Sequence, residues 1–307
     1  MARYVLKRLF GMIPTLLLVV LFVFFFVRLI PGNPARMLAG PDASLEDVKN
    51  IERNLGLDQP VMVQFVKYIT GLLRGDLGMS LRTKKPVSAD IAMRLWNTLK
   101  LTLAAITWSS IVGVLLGVWS ARHRNKHQDY IGMTLAVSGI SVPNFWVGFL
   151  LMMLFAVKLK WLPATGASSF KSLIMPAITL GTSIAAIVAR FTRSSLLDVL
   201  KEDYIRTARA KGAKELRIVW LHAFRNSMIS VVTVVGLQFG FLLGGSVVTE
   251  AVFAYPGIGF LLVESVSYRD YPAIQSLVLL FSLDFLVINL LVDILYAFLN
   301  PEIRLSK

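Results

Sequence analysis

The stretch LFGMIPTLLLVVLFVFFFV at residues 9–27 carries no charged side chain. An apolar run of roughly 20 residues suffices to cross the hydrocarbon core of a bilayer as a helix. Five further segments reach comparable length, at about 99–121, 131–157, 173–191, 229–250 and 276–299. Charged residues make up 16% of the chain, against about a quarter in a soluble domain. The fold class expected is therefore an all-α integral membrane protein with six transmembrane helices. The opening MARYVLKRLF could begin a signal peptide, but the apolar core that follows exceeds the roughly 7–15 residues of such a region, so it is read as a retained first span.

Six spans put both termini on one side. Arg3, Lys7 and Arg8, the basic turn RHRNKHQDY with Arg122, Arg124 and Lys126, and Arg304 and Lys307 all fall on that side. The bias of Lys and Arg toward short cytoplasmic loops makes it the cytoplasm. The division expected is a cytoplasmic N-terminus and first span at 1–30, an extracytoplasmic subdomain at 31–98, a five-span core at 99–300 with a cytoplasmic loop at 192–228, and a tail at 301–307. Within 31–98, Ser44 and Asp47 read as a helix-starting cap, Gly56 as its stop and Pro60 as the next start. The net charge of +14 is taken up by loop residues that set orientation, and no soluble basic module is present to bind nucleic acid. The absence of cysteine excludes disulfide scaffolds, thiolate metal sites and cysteine nucleophiles.

The loop at 192–228 is the most unusual part of the chain. Leu196, Leu200 and Tyr204 recur at a spacing of four with charges between them, and Gly212 then interrupts the pattern. A second amphipathic piece follows, with Leu216, Val219, Trp220 and Phe224 on one side. This spacing predicts two short helices joined at a glycine and presenting a compact, basic end. Pattern alone leaves two readings open, adhesion to anionic lipid or docking to a partner protein.

Other polar positions lie within or beside spans. Gly236, Gly240 and Gly244 form a small-residue stripe that suits close helix approach, a subunit interface or a path lining, and Gly113 and Gly117 repeat it in a form that favours plain packing. Asp284 and Asn289 lie inside the sixth span, where an ionisable group either serves a path or hydrogen-bonds a buried partner. Glu250 is expected at the solvated outer end of the fifth span. Pro143 and Pro176 are expected to bend the third and fourth spans, with Ser138, Asn144 and Trp146 beside the first bend and Gln238 on the fifth span as further path candidates. His123 and His127 share a helical face but lack a carboxylate to complete a metal site. Neither a catalytic triad nor a pair of catalytic acids stands out. The phosphate-binding pattern GxxxxGK[ST] occurs nowhere, so any use of ATP requires another chain.

YIRTARAKG followed by HAFRN resembles the EAA-type loop of binding-protein-dependent ABC importer permeases, in the peptide-transporter branch. IPGNPARMLAGPDA, LGLDQP, RGDLGMS, VVTVVGLQFGFLLGGSVVTE, YPGIG, RDYPAIQ and LLVDILYAFLNPEIR agree with it, from end to end of the chain. The resemblance is to the dipeptide, glutathione and nickel group, nearest the glutathione and dipeptide permeases. It implies a type I importer fold and a bacterial inner-membrane location. It also implies a heterodimer with a second, homologous permease subunit, two ATPase subunits that carry ATP and Mg, an extracytoplasmic solute-binding protein and surrounding lipid. The cargo implied is a short peptide such as glutathione or a dipeptide, with nickel chelate or haem as alternatives in the same architecture. A stand-alone secondary transporter or channel is the rival outside the family. Glu202, Asp203, Tyr204, Arg206, Thr207, Ala208, Arg209, Ala210, Lys211 and Gly212 are the positions implied to couple to the ATPase. Relatives often carry proline where Ser230 stands, so a softer break into the fifth span is expected here.

Overall fold

The computed structural model describes residues 2–40 and 42–299. The tail at 301–307 with Arg304 and Lys307, and the side chains of Arg3 and Lys7, lie outside the described residues. Helices follow one another in the order α1 (Ala2–Leu29), α2 (Pro34–Ala39), α3 (Leu45–Leu55), α4 (Val61–Leu73), α5 (Val87–Arg122), α6 (His127–Ser141), α7 (Asn144–Leu151), α8 (Lys171–Val199), α9 (Asp203–Ala210), α10 (Glu215–Arg217), α11 (Phe224–Val252), α12 (Ile258–Ser267) and α13 (Tyr271–Leu299). Wide π-helical segments extend this framework at Met152–Lys158 after α7 and at Ile218–Ala223 between α10 and α11. Among the described residues no strand occurs beyond one isolated bridge between Met79 and Pro86. Among the described residues five helical stretches are long and apolar enough to cross a membrane, and a sixth is obtained if the bent pair formed by α6 and by α7 with its π-helical extension counts as one span.

That pair departs from the single bent helix expected at 131–157. The break is complete, with a 101° angle between its halves. Its cause is local: Val142 precedes Pro143, and the proline ring disfavours the helical region for the residue before it. Val142 accordingly lies extended, at φ −87° and ψ 127°. Pro176 behaves differently. It is the sixth residue of α8, which continues through to Val199; the bond it forgoes is the one its own N–H would make to the Ser172 carbonyl, and the ladder on either side continues. No break occurs at Ser230 either, since α11 runs through it.

The chain divides into two compact units, Met1–Thr98 with Pro256–Leu286, and Leu99–Tyr255 with Val287–Lys307. In the first, reciprocal hydrogen bonds between Ser44 and Asp47 cap α3, Asp47 N donating to Ser44 Oγ at 3.1 Å and Ser44 N donating to Asp47 Oδ2 at 3.2 Å. The buried carboxylate of Asp270 gathers the turn at 80–82 by accepting from the Ser80 hydroxyl, Leu81 N at 3.1 Å and Arg82 N at 3.3 Å. Two sequence motifs far apart in the chain, RGDLGMS and RDYPAIQ, are thus joined by one side chain. Beside them Glu264 accepts from Arg82 at 2.8 Å and from Arg94 at 3.0 Å.

Burial pushes the Glu264 carboxyl up, but the hydrogen bonds and charges of Arg82 and Arg94 outweigh it and hold the group below its ordinary value of 4.5. A carboxyl lowered by folding contributes stability that is fully present above its ordinary value. That contribution is lost as pH falls through the lowered folded value. Glu264→Gln should therefore cost stability at neutral pH and progressively less below pH 4.5. Thermal unfolding midpoints of the detergent-solubilised protein across that range check this, and a gap between wild type and variant that stays constant with pH would sink it.

In the second unit α8 is the central element, with Met175, Leu180, Ile184 and Val188 buried against Leu101, Ala105 and Ile106 of α5 and Leu242 of α11. Gly113 and Gly117 of α5 face it so closely that an added Cβ would lie 2.7 Å from the Ala185 carbonyl oxygen and 2.5 Å from that of Ala189. These two glycines are packing positions, as their spacing suggests.

Candidate functional site

The charged loop forms where α8 ends at Val199 and the chain turns through Leu200–Glu202. Glu202 is extended and precedes α9, whose first turn holds Asp203 and whose last turn holds Arg209. Both charges complement the helix dipole. At the other end Gly212 N donates to Arg209 O at 2.9 Å and Ala213 N donates to Ala208 O at 3.2 Å. This pair of bonds is the Schellman closure, and it requires a left-handed residue after the cap. Gly212 supplies it at φ +80°, with no atom within 4 Å of a would-be Cβ.

Only Ile205 of α9 is fully buried, and Ala208 is half-buried. Ile205 inserts among Val118 and Ala121 of α5, Leu196 of α8, and Ile218, Val219 and Ala223 of the π-helical segment. The remainder of α9 faces outward. Arg206 pairs weakly with Asp203 at 3.5 Å, both largely exposed, and Arg209 meets Glu215 through Nε at 2.7 Å and Nη2 at 3.4 Å. Tyr204 accepts from Asn226 at 2.7 Å, which ties the helix back to α11. The result is a short, doubly braced helix that is held by one apolar side chain and offers a surface of both charge signs with a cationic excess.

The second amphipathic piece is not a separate helix, as the spacing had suggested. It runs from Glu215 without interruption into the span that ends at Val252, because no glycine or proline lies between Lys214 and Phe253 to stop it except within the span's own small-residue stripe.

An ion pair with a buried acid and a half-buried arginine stands behind this knob. Arg193 of α8 donates to Asp129 of α6 through both Nε and Nη2 at 2.6 Å. Asp129 also accepts from the Ser120 hydroxyl and from Asn125 N at 3.0 Å. Ser120 and Asp129 are almost fully buried. One carboxylate therefore fastens the end of α5, the start of α6 and the last two turns of α8. Neither Asp129 nor Arg193 is singled out by the sequence, although an acid at the head of an apolar helix is a signal for a buried partner.

The path candidates separate. Asn144 accepts from Ser183 at 2.8 Å at the start of α7, whereas Ser138 and Trp146, on either side of the break, are exposed. The stripe on α11 is uneven. Gly236 faces Val292, whose Cγ2 would lie 2.9 Å from a Cβ, Gly240 is buried, and Gly244 faces open space. Gln238 and Asn289 are half-buried. Glu250 is fully buried rather than at a solvated end, because the chain turns back beyond α11 and Tyr255 N donates to Glu250 O at 2.8 Å. Burial first, and the Glu250 carboxylate second, raise the Tyr255 hydroxyl above its ordinary value. Asp284 belongs to the other unit, half-buried in α13 with its Oδ2 lacking a hydrogen-bond partner among the described residues. Among the described residues no group of three or more His, Cys, Asp or Glu is placed to hold a metal ion.

Residues 113–305 match the family described as binding-protein-dependent transport system inner membrane component, and residues 1–102 match the corresponding N-terminal family. The glutathione transport system permease protein GsiC of Salmonella paratyphi A is 56% identical over 304 residues, covering 99% of each chain. Its counterpart in Escherichia coli strain K12 is 53% identical with the same coverage. Among solved structures, the inward-facing MetNI methionine ABC transporter aligns with a TM-score of 0.58 at 20% identity, over 69% of this chain and 96% of that one. An amino acid ABC transporter with histidines aligns at 0.53 and 16%, over 68% and 94%.

Proposed function

Because this chain belongs to the binding-protein-dependent transport system inner membrane components, a transport component rather than an enzyme, we propose that it carries glutathione or a closely related short peptide inward across the bacterial inner membrane. The likeness to glutathione permeases over the whole chain supports that cargo. The partners are a second, homologous permease subunit, two ATPase subunits that bind ATP and Mg, and an extracytoplasmic binding protein that delivers the peptide. Both termini and the 192–228 loop face the cytoplasm, and the subdomain at 31–98 faces the binding protein.

The observation that carries the mechanism is the seating of α9, a rigid helix anchored by Ile205 with the rest of its surface outward. A helix of this kind transmits displacement as a body, because its Schellman closure and the Arg209–Glu215 pair leave it little internal freedom. Movement of an ATPase against Glu202, Asp203, Arg206, Thr207, Ala210 and Lys211 passes through Ile205 into the ends of α5 and α8. The spans then switch between two packed arrangements. Ser138, Asn144, Trp146, Gln238, Gly244 and Asn289 supply the polar and small surfaces for the path and the subunit interface.

Gly212→Pro tests this directly. Proline fixes φ near −65° and removes the N–H that closes the helix, at a cost of about 3 kcal/mol where that geometry is required. The purified wild-type chain should retain an ATPase subunit through affinity chromatography, and the variant should lose it while still inserting in the membrane. Full transport by this chain alone in proteoliposomes would overturn the proposal.

A further inference from the structure

α4 has three different faces. Phe65 and Tyr68 lie against Phe24 of α1, with ring centroids 4.9 and 5.7 Å away. Lys67, Thr70 and Arg74 fall on a polar flank, where Lys67 donates to Gln59 at 2.7 Å. Between these, Met62, Val66 and Leu73 make an apolar stripe at spacings of four and seven, exposed to 66%, 55% and 82%. No residue of α4 is fully buried.

The depth of α4 follows from what it touches. The span of α1 covers Arg8–Leu29, about 33 Å at 1.5 Å per residue, close to the roughly 30 Å thickness of the hydrocarbon core. Phe24 lies inside the far end of that span by about 7 Å. A helix stacked on Phe24 therefore sits at the edge of the hydrocarbon and not clear of it. The 13 residues of α4 extend about 20 Å, too short to cross. Arg28 of α1 reaches Gln64 of α4 at 2.7 Å, so the guanidinium and the polar flank lie toward the headgroups. Phe25 of α1 is 5.9 Å from Phe65 between ring centroids, and Phe22 and Phe26 beside it are exposed. The apolar stripe of α4 thus continues the exposed aromatic side of α1.

We propose that α4 is an interfacial membrane helix, its Met62–Val66–Leu73 stripe lying in the acyl-chain boundary of the leaflet at the far end of α1, with phospholipid as the partner of that surface. A parallel amphipathic helix with cations on its polar side and its apolar face set a few ångströms into the bilayer has this arrangement. The surface is independent of the cargo and of the ATPase. Its role is to hold the 31–98 segment down on the membrane while the spans move.

The chain contains no cysteine, so single cysteines at Met62, Val66, Leu73 and Lys67 can carry nitroxide labels in an otherwise native sequence. With the full chain purified together with its partner subunits and reconstituted in phospholipid bilayers, collision with oxygen should exceed collision with a water-soluble nickel chelate several-fold at 62, 66 and 73. The order should reverse at 67. Nickel collisions dominating at the three apolar positions would place α4 in water, and low accessibility to both reagents would mean that another protein chain covers the stripe. Either result overturns the assignment.

Discussion

Arg193→Leu should lower the unfolding free energy of the solubilised chain by about 3 kcal/mol, the lower part of the range for breaking a buried ion pair from one side. The loss comes from the carboxylate that stays behind. Asp129 is 4% exposed against 26% for Arg193, so the acid cannot recover its hydration when the guanidinium is removed. It would keep only the Ser120 hydroxyl and Asn125 N, which do not compensate a charge. Asp129→Asn removes the charge and retains much of the hydrogen bonding, so it should cost less, on the order of 1 kcal/mol. The double variant should recover part of the Arg193→Leu loss, and a double-mutant cycle by thermal or denaturant unfolding measures that coupling. Strict additivity of the two single changes would show that the pair holds nothing together.

Gly117→Val should have an effect of similar size, about 3 kcal/mol, at the upper end of the range for overpacking. A Cβ there would lie 2.5 Å from the Ala189 carbonyl oxygen and 2.6 Å from Thr192 Cβ. The first of these is backbone in the middle of α8, which cannot move without shifting the helix that buries most of the second unit. Gly244→Val is the comparison. Nothing lies within 4 Å of a Cβ at that position, so the same addition should leave stability within about 0.5 kcal/mol. Membrane yield and thermal midpoint measured side by side decide it, and equal losses at 117 and 244 would refute the packing argument.

These two glycines also show what a sequence can and cannot display. Gly113 and Gly117 share the spacing of Gly236 and Gly240, and periodicity states that small residues share a face without stating what that face meets. The long apolar segments were legible because the bilayer imposes a length and a composition on any helix that crosses it. The charged helix before Gly212 was legible for a related reason, since glycine there answers a backbone requirement that few residues meet. The pair Asp129 and Arg193 was not, because its members stand 64 residues apart and each sits in a stretch whose other charges are solvated. The burial of Glu250 was hidden in the same way: it depends on where the chain turns after Val252. At Pro143 the sequence marks the place of a disturbance but not its size, and the step from a bend to a 101° break rests on the extended backbone of Val142.

The wide segment at Ile218–Ala223 bears on how the length of this chain can vary. A π-helical turn holds one residue more than an α-helical turn spanning the same rise. Losing one residue there would restore ordinary winding and leave the faces of α10 and α11 in their present phase. The same deletion a few positions further along α11 would turn everything after it by about 100°, carrying Gly236 away from Val292. Leu221 is exposed within the wide segment, so a one-residue deletion at 218–223 should disturb the packing of α11 less than the same deletion inside the span.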